Sequence, residues 1–198
     1  MSDLIKRAAK ELGEPKEDVM ERLMDRIAVE ADIAYDEVDT PMGTFTVAAT
    51  QRGLVALSFE RDPEIVVDAL ARKLSPRVVH APKRVDDIRR ELDEYFEGKR
   101  KNFDLALDWS LVQGFNKKVL EATYRIPYGG VSTYSDMARS AGSPRAARAA
   151  GNALHNNPIP IVVPCHRVLH RDGGLGGYGG GLPMKKWLLT LEGALERE

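Results

Sequence analysis

The residues in this sequence best suited to covalent chemistry are a thiol and its neighbours. Cys165 stands in Pro164-Cys165-His166-Arg167-Val168, at the end of the apolar, proline-punctuated run Pro158 to Val163. A free thiol has a pKa near ~8.5, so only a few per cent is thiolate at neutral pH. An imidazole can take its proton, directly or through water, and a carboxylate can hold that imidazole in place. The chemistry would then be attack by sulfur. Neighbours in sequence need not face each other, however, and a lone cysteine in an apolar run also fits a buried core thiol. The pentapeptide by itself leaves both readings open.

The rest of the chain must position this thiol. Its 198 residues suffice to bury a core without disulfide or metal staples, and 43% hydrophobic with 30% charged residues is ordinary globular composition. A single cysteine excludes an internal disulfide and a Cys-rich zinc site, and fits a reducing, cytoplasmic setting. No apolar run approaches the ~20 residues of a membrane span. The charged opening, Met1 to Arg7, lacks the apolar stretch of a secretory signal. The net charge of −1 divides unevenly, with −6 over residues 1–110 and +5 over residues 111–198. A basic half points weakly to an anionic partner.

Three segments follow from the patterning. Residues 1–33 read as a helical extension, with helices over 2–12 and 15–31 that form a packing hairpin. Residues 34–110 read as an α+β domain with a small antiparallel sheet. Thr44–Ala48 and Leu54–Phe59 alternate as strands around a turn at Gln51-Arg52-Gly53, in a three-strand meander. Helices follow from Pro63 to Leu74 and from Pro82 to Phe96, then a short edge strand from Phe103 to Leu107. Residues 111–198 read as mostly α-helical. Thr133–Ser140, a tight turn at Gly142-Ser143, and Pro144–His155 capped by Ser143 carry the helix-turn-helix signature. A loop with seven glycines between Gly173 and Gly181 leads to a closing helix over Leu182–Leu195.

Pro158 to Val168 resembles the active-site signature of the O6-alkylguanine-DNA alkyltransferases. Ile126-Pro127-Tyr128-Gly129, Ser132-Thr133-Tyr134, Ser143 to Ala149, Gly151-Asn152-Ala153, Gly177 to Leu182, Lys185 to Leu189 and Glu192-Gly193 stand in that family's order. The resemblance is strong over 111–194, loose over 35–110 and absent before that. It implies a repair protein that flips O6-alkylguanine out of duplex DNA and moves the alkyl group irreversibly to its own cysteine, once per molecule. Cys165 would be the nucleophile, His166 its base through a water, and Glu192 the carboxylate that holds the imidazole. With both partners in place, Cys165 is expected to ionise more easily than a free cysteine. Tyr134 would support the leaving guanine, and Asn157 would tie the helix-turn-helix to the active-site segment. Carbonyls of Cys165 and Val168 would accept the guanine amino group. Tyr178, Gly179 and Gly180 would wall the base pocket. Arg148 would fill the gap in the base stack. Ser143, Ala147 and Gly151 would lie along the DNA, where small residues let the helix approach the minor groove.

The resemblance implies no cofactor and a monomer acting on double-stranded DNA. Some members bind zinc in the first domain; with His80 and no cysteine there, no metal is expected. Gly179 replaces a serine found in some members, which removes one hydrogen bond to the base. Three other readings compete. A non-reactive damage-binding relative would lack Cys165. A thiol hydrolase would leave the arginine-bearing helix-turn-helix unexplained. A transcription regulator would need a second DNA-reading module.

Overall fold

A computed structural model describes residue 27 and residues 29–196 of the chain. The helix expected over 2–12, and most of that over 15–31, lie outside the described residues. The first strands form the expected meander: β1 (Ile33–Thr40), β2 (Gly43–Thr50) and β3 (Gly53–Ser58). β1 and β2 pair antiparallel from Ile33↔Thr50 to Thr40↔Gly43, and β2 and β3 pair antiparallel with a bulge at Ala48/Ala49. A fourth strand, β4 (Val78–His80), joins β1 in parallel, giving the order β3-β2-β1-β4. The sequence did not mark it, because three residues are too few to show alternation.

Both faces of the sheet are covered, and the two-residue period of β2 sends Phe45 and Val47 to one side and Ala48 to the other. Ala48, Val55 and Ala56 pack with Val66 and Leu70 of helix α1 (Pro63–Lys73). Phe45, Val47, Leu54 and Leu57 pack with Ile88, Leu92, Tyr95 and Phe96 of helix α2 (Asp86–Phe96). The helix expected from Pro82 opens as a 3-10 turn over Pro82–Val85 before α2 begins. The edge strand expected over Phe103–Leu107 reduces to one bridge, Leu54↔Leu107. It is anchored by Leu54 N–H to Ala106 O at 2.9 Å and Asp108 N–H to Leu54 O at 2.8 Å. Gly53 makes this approach possible: its φ is 127°, and a Cβ there would collide with the Ala106 carbonyl.

The second half is helical, with α3 (Gly114–Tyr124), α4 (Tyr134–Ser140), α5 (Ala147–His155) and α6 (Gly181–Leu191). Thr133 caps α4 by accepting the Asp136 N–H at 3.2 Å. α4 and α5 form the expected helix-turn-helix, but α5 starts three residues late. Ser143 does not cap it. The Ser143 carbonyl instead accepts the Ala146 N–H at 2.9 Å, which closes Pro144 and Arg145 into a turn; Ala146 becomes a cap without a side-chain bond. A two-residue parallel pairing of β5 (Ser132–Thr133) with β6 (Val168–Leu169) ties the start of α4 to the segment after Cys165. α6 ends earlier than expected. Gly193, at φ 74°, accompanies Ala194 N–H to Leu189 O at 2.8 Å and Gly193 N–H to Thr190 O at 3.1 Å, a Schellman stop.

The face of the sheet carrying Phe45 and Val47 shares one core with Val119, Leu120, Met137, Ala150, Ile159, Val163, Cys165 and Leu188 of the second half. Among the described residues no helix is long and apolar enough to cross a membrane.

Candidate active site

The path from α5 to Cys165 is a tight, buried turn organised by Asn157. Its Nδ2 donates to Val163 O at 2.8 Å, and its Oδ1 accepts the Ile159 N–H at 3.0 Å. β3 holds the turn from outside through Leu57 N–H to Pro158 O at 2.8 Å. Ile161 is fully buried and takes φ 72°, a region β-branched residues avoid. Such strain persists where the surroundings over-determine it, and it clusters at functional sites. Cys165 then opens a 3-10 turn, Cys165–Arg167, whose cap is the Val168 N–H bonded to the Cys165 carbonyl.

That turn sends His166 and Arg167 into the interior, where both meet Glu192. Glu192 follows the last residue of α6, and the Gly193 stop leaves its carboxylate buried. Oε1 lies 3.0 Å from His166 Nε2 and accepts from Arg167 Nη2 at 2.8 Å and from the Tyr95 hydroxyl at 2.6 Å. Oε2 accepts from Arg167 Nε at 2.8 Å and from the Gly129 N–H at 3.4 Å. Gly129 is required here: its φ is 73°, and a Cβ would lie 2.8 Å from the Glu192 carbonyl. Burial would raise the Glu192 carboxyl, but bonds from His166 and Arg167 outweigh it and hold the pKa at about 2. Burial pushes the His166 imidazole below its ordinary value, against the pull of Glu192. A neutral imidazole beside a carboxylate carries its proton on Nε2, which assigns the lone pair to Nδ1. Nδ1 is buried and has no hydrogen-bond partner among the described residues, so it is free to accept a proton.

The thiol itself departs from the expectation of easy ionisation. Burial pushes Cys165 above its ordinary value, and the Asn157 side chain and the Lys185 charge only partly offset this. Lys185 is wholly buried behind it, donating to Val168 O at 2.7 Å and to Leu175 O. Burial lowers its pKa to about 8, against the pull of Cys165. Burial therefore favours the thiol over the thiolate at Cys165.

Cys165 lies at the wall of a cavity of about 410 Å³, shared with Tyr134, Arg148, Gly151, His170 and Tyr178. One wall is α5, the second helix of the helix-turn-helix. A second cavity of about 310 Å³ meets Cys165, Tyr178 and Gly179 from the β3 side, past Phe59 and Pro160. Cys165 thus opens into a cavity bounded by the second helix of the helix-turn-helix.

The family model of 6-O-methylguanine DNA methyltransferase, ribonuclease-like domain, matches residues 33–109, and that of its DNA binding domain matches residues 114–194. The chain belongs to the 6-O-methylguanine DNA methyltransferase family. It is 40% identical over 161 residues to a methylated-DNA–protein-cysteine methyltransferase of Methanosarcina barkeri, covering 80% of this chain and 96% of that protein. It is 40% identical over 150 residues to the inducible methyltransferase of Bacillus subtilis, covering 75% of this chain and 83% of the relative. The Mycobacterium tuberculosis OGT solved in complex with DNA superposes with a TM-score of 0.69 at 35% identity, covering 80% of this chain and 92% of that one.

Most residues singled out from the methyltransferase signature converge on this site. Cys165, Tyr134, Arg148, Ala147, Gly151, Tyr178 and Gly179 line the larger cavity, and His166, next to Cys165 in the chain, pairs with Glu192 in the interior. Burial and the neighbouring Cys165 raise the Tyr134 phenol, which favours its protonated form. Two residues depart. Gly180 does not line the cavity; it seats the start of α6, where a Cβ would collide with Met184 Sδ. Ser143 lies in the turn before α5, beside a shallow depression with Pro144, Arg145 and Ala146. The Val168 carbonyl is already bonded to Lys185, which leaves one lone pair for a base. Sequence reasoning missed Arg167, Tyr95, Lys185 and His170. Arg167 sits inside the pentapeptide and could have been marked. Tyr95 lies on the buried face of α2, where apolar spacing alone marks it only as a core residue. His170 reaches the cavity because the β6 turn folds it against Tyr134, with ring centroids 5.1 Å apart.

Proposed function

We propose that this methyltransferase repairs O6-alkylguanine in double-stranded DNA by taking the alkyl group onto Cys165. The observation that supports the reading is a buried thiol at the wall of a cavity formed in part by α5, followed in the chain by an imidazole paired with a buried carboxylate. The extrahelical guanine would enter that cavity while Arg148 occupies its place in the stack. Sulfur attacks the carbon bound to O6. The S–C bond forms as the C–O6 bond breaks, and the bonding pair stays with the guanine. The thiol proton passes to His166 Nδ1, directly or through water, and Glu192 stabilises the imidazolium. The Tyr134 hydroxyl hydrogen-bonds the guanine as negative charge develops on it. The product thioether is not cleaved by any group in the site, so each molecule reacts once, acting as a monomer in the cytoplasm.

The test is a single-turnover assay on duplex DNA carrying one O6-methylguanine. The expected yield is one methyl per protein chain, and Cys165→Ser is expected to bind the damaged duplex without transfer. Multiple turnovers, or transfer by Cys165→Ser, would contradict the proposal.

A further inference from the structure

Tyr95 is a buried titratable group to which the reaction above gives no part. It lies on α2, in the half of the chain that does not carry Cys165. Its ring is fully buried against Phe96 at 5.5 Å, Phe103 at 5.2 Å and Tyr128 at 6.2 Å. Its hydroxyl crosses into the other half and donates to Glu192 Oε1 at 2.6 Å. Burial and the Glu192 charge raise its pKa, so it remains a phenol and a donor. Oε1 therefore serves Tyr95, His166 and Arg167 together, although a carboxylate oxygen offers about two lone-pair sites. The three donors compete for the same charge.

We propose that Tyr95 is a positioning residue for alkyl transfer: through Glu192 Oε1 it sets how tightly His166 holds a proton, and it links the seating of α2 to the reactivity of Cys165. The proposal rests on the transfer reaction above. Removing the hydroxyl leaves more charge on Oε1 for the His166 N–H. Imidazolium is then favoured, and a base that should be empty is filled at higher pH. The other ionisable groups facing the pair are Arg167, Tyr128, Tyr178, Lys185 and Cys165. The Tyr128 hydroxyl is held by Leu191 O at 3.0 Å, and Lys185, near 8, titrates on the alkaline side. The acid limb of the rate therefore reports His166.

The experiment compares wild type, Tyr95→Phe and Leu92→Val, a control that loosens the same helix without touching Glu192. Single-turnover transfer is measured against pH, and the His166 ring nitrogens are titrated by NMR in the DNA-free protein. A third form carries 3,5-difluorotyrosine at position 95, a stronger donor of nearly the same shape that keeps the core filled. The expected result is an acid limb and an NMR titration moved up by about half a pH unit or more in Tyr95→Phe. Both should move down with the fluorinated residue and stay in place in Leu92→Val. Unmoved titrations in Tyr95→Phe and the fluorinated form would make Tyr95 a core residue only. An equal shift in Leu92→Val would assign the effect to packing and overturn the role of the hydroxyl. If the wild type transfers no alkyl group, the transfer reading fails, while the NMR titrations still decide the link from Tyr95 to His166.

Discussion

Glu192→Gln is the substitution whose cost can be worked most fully from the structure. The carboxyl has an ordinary pKa of 4.5 and is held at about 2 in the folded protein. Its folded pKa is depressed, so it contributes stability above the unfolded value and loses it as pH falls through the folded one. At 1.36 kcal/mol per unit, the ionised form adds roughly 3 kcal/mol near pH 7. That contribution drops below about half near pH 3 and vanishes below pH ~2. The amide introduced by Glu192→Gln is a neutral isostere of the protonated acid, and it would leave the buried Arg167 guanidinium without its carboxylate. Breaking a buried pair from one side costs ~3–5 kcal/mol, consistent with the figure from linkage. Against a total stability of ~5–15 kcal/mol, this is a large fraction. The assay is equilibrium unfolding in urea of wild type and Glu192→Gln from pH 7 to pH 2.5, which follows the difference between the two. The difference should be roughly 3 kcal/mol at pH 7 and shrink steadily below pH ~4.5. A difference that stays constant with pH, or lies under ~1 kcal/mol at pH 7, would refute the reasoning.

Other predictions follow from the same site. Arg148→Ala is expected to slow repair of duplex DNA at least about tenfold while sparing reaction with free O6-benzylguanine, because only the duplex has a stack to fill; equal rates on both substrates compared with wild type would remove that role. Lys185→Met takes away the positive charge behind Cys165, so the thiol should ionise less readily and transfer at pH 7 should slow by about tenfold or more, read by single-turnover kinetics on folded protein. Duplex affinity should fall steeply with salt, by about tenfold or more between roughly 50 and 200 mM, and vary little with sequence, as counterion release at the basic half requires; filter binding across salt and sequence series measures both.

What the sequence revealed and what it hid divide along physical lines. The meander was legible because Thr44 to Val47 alternate in β2, β3 is a short apolar run, and their turns carry Gly43 and Gly53, whose φ values of 111° and 127° few other residues take. The helix-turn-helix was legible from the tight turn at Gly142-Ser143 between its helices, and the thiol–imidazole pair from adjacency and the signature around it. The start of α5 was misjudged because Ser143 had two uses, capping a helix or closing a turn with its carbonyl, and the second prevailed. The Glu192 relay was half visible. Its partner His166 came with the signature, but the donors Tyr95 and Gly129 lie 97 and 63 residues away, a distance no local pattern encodes. The acidity of Cys165 was misjudged for the same reason. His166 and Glu192 pointed to easier ionisation, whereas burial, a sum over the whole fold, pushes the thiol the other way.

The central claim is that the alkyl group ends on Cys165. The most direct measurement uses duplex DNA whose O6-methylguanine carries a trideuterated methyl, followed by digestion of the protein and tandem mass spectrometry. The account predicts a gain of about 17 Da on the peptide containing Cys165, localised to its sulfur, at up to one label per chain. Label on any other residue, or demethylated DNA with Cys165 unmodified, would contradict it.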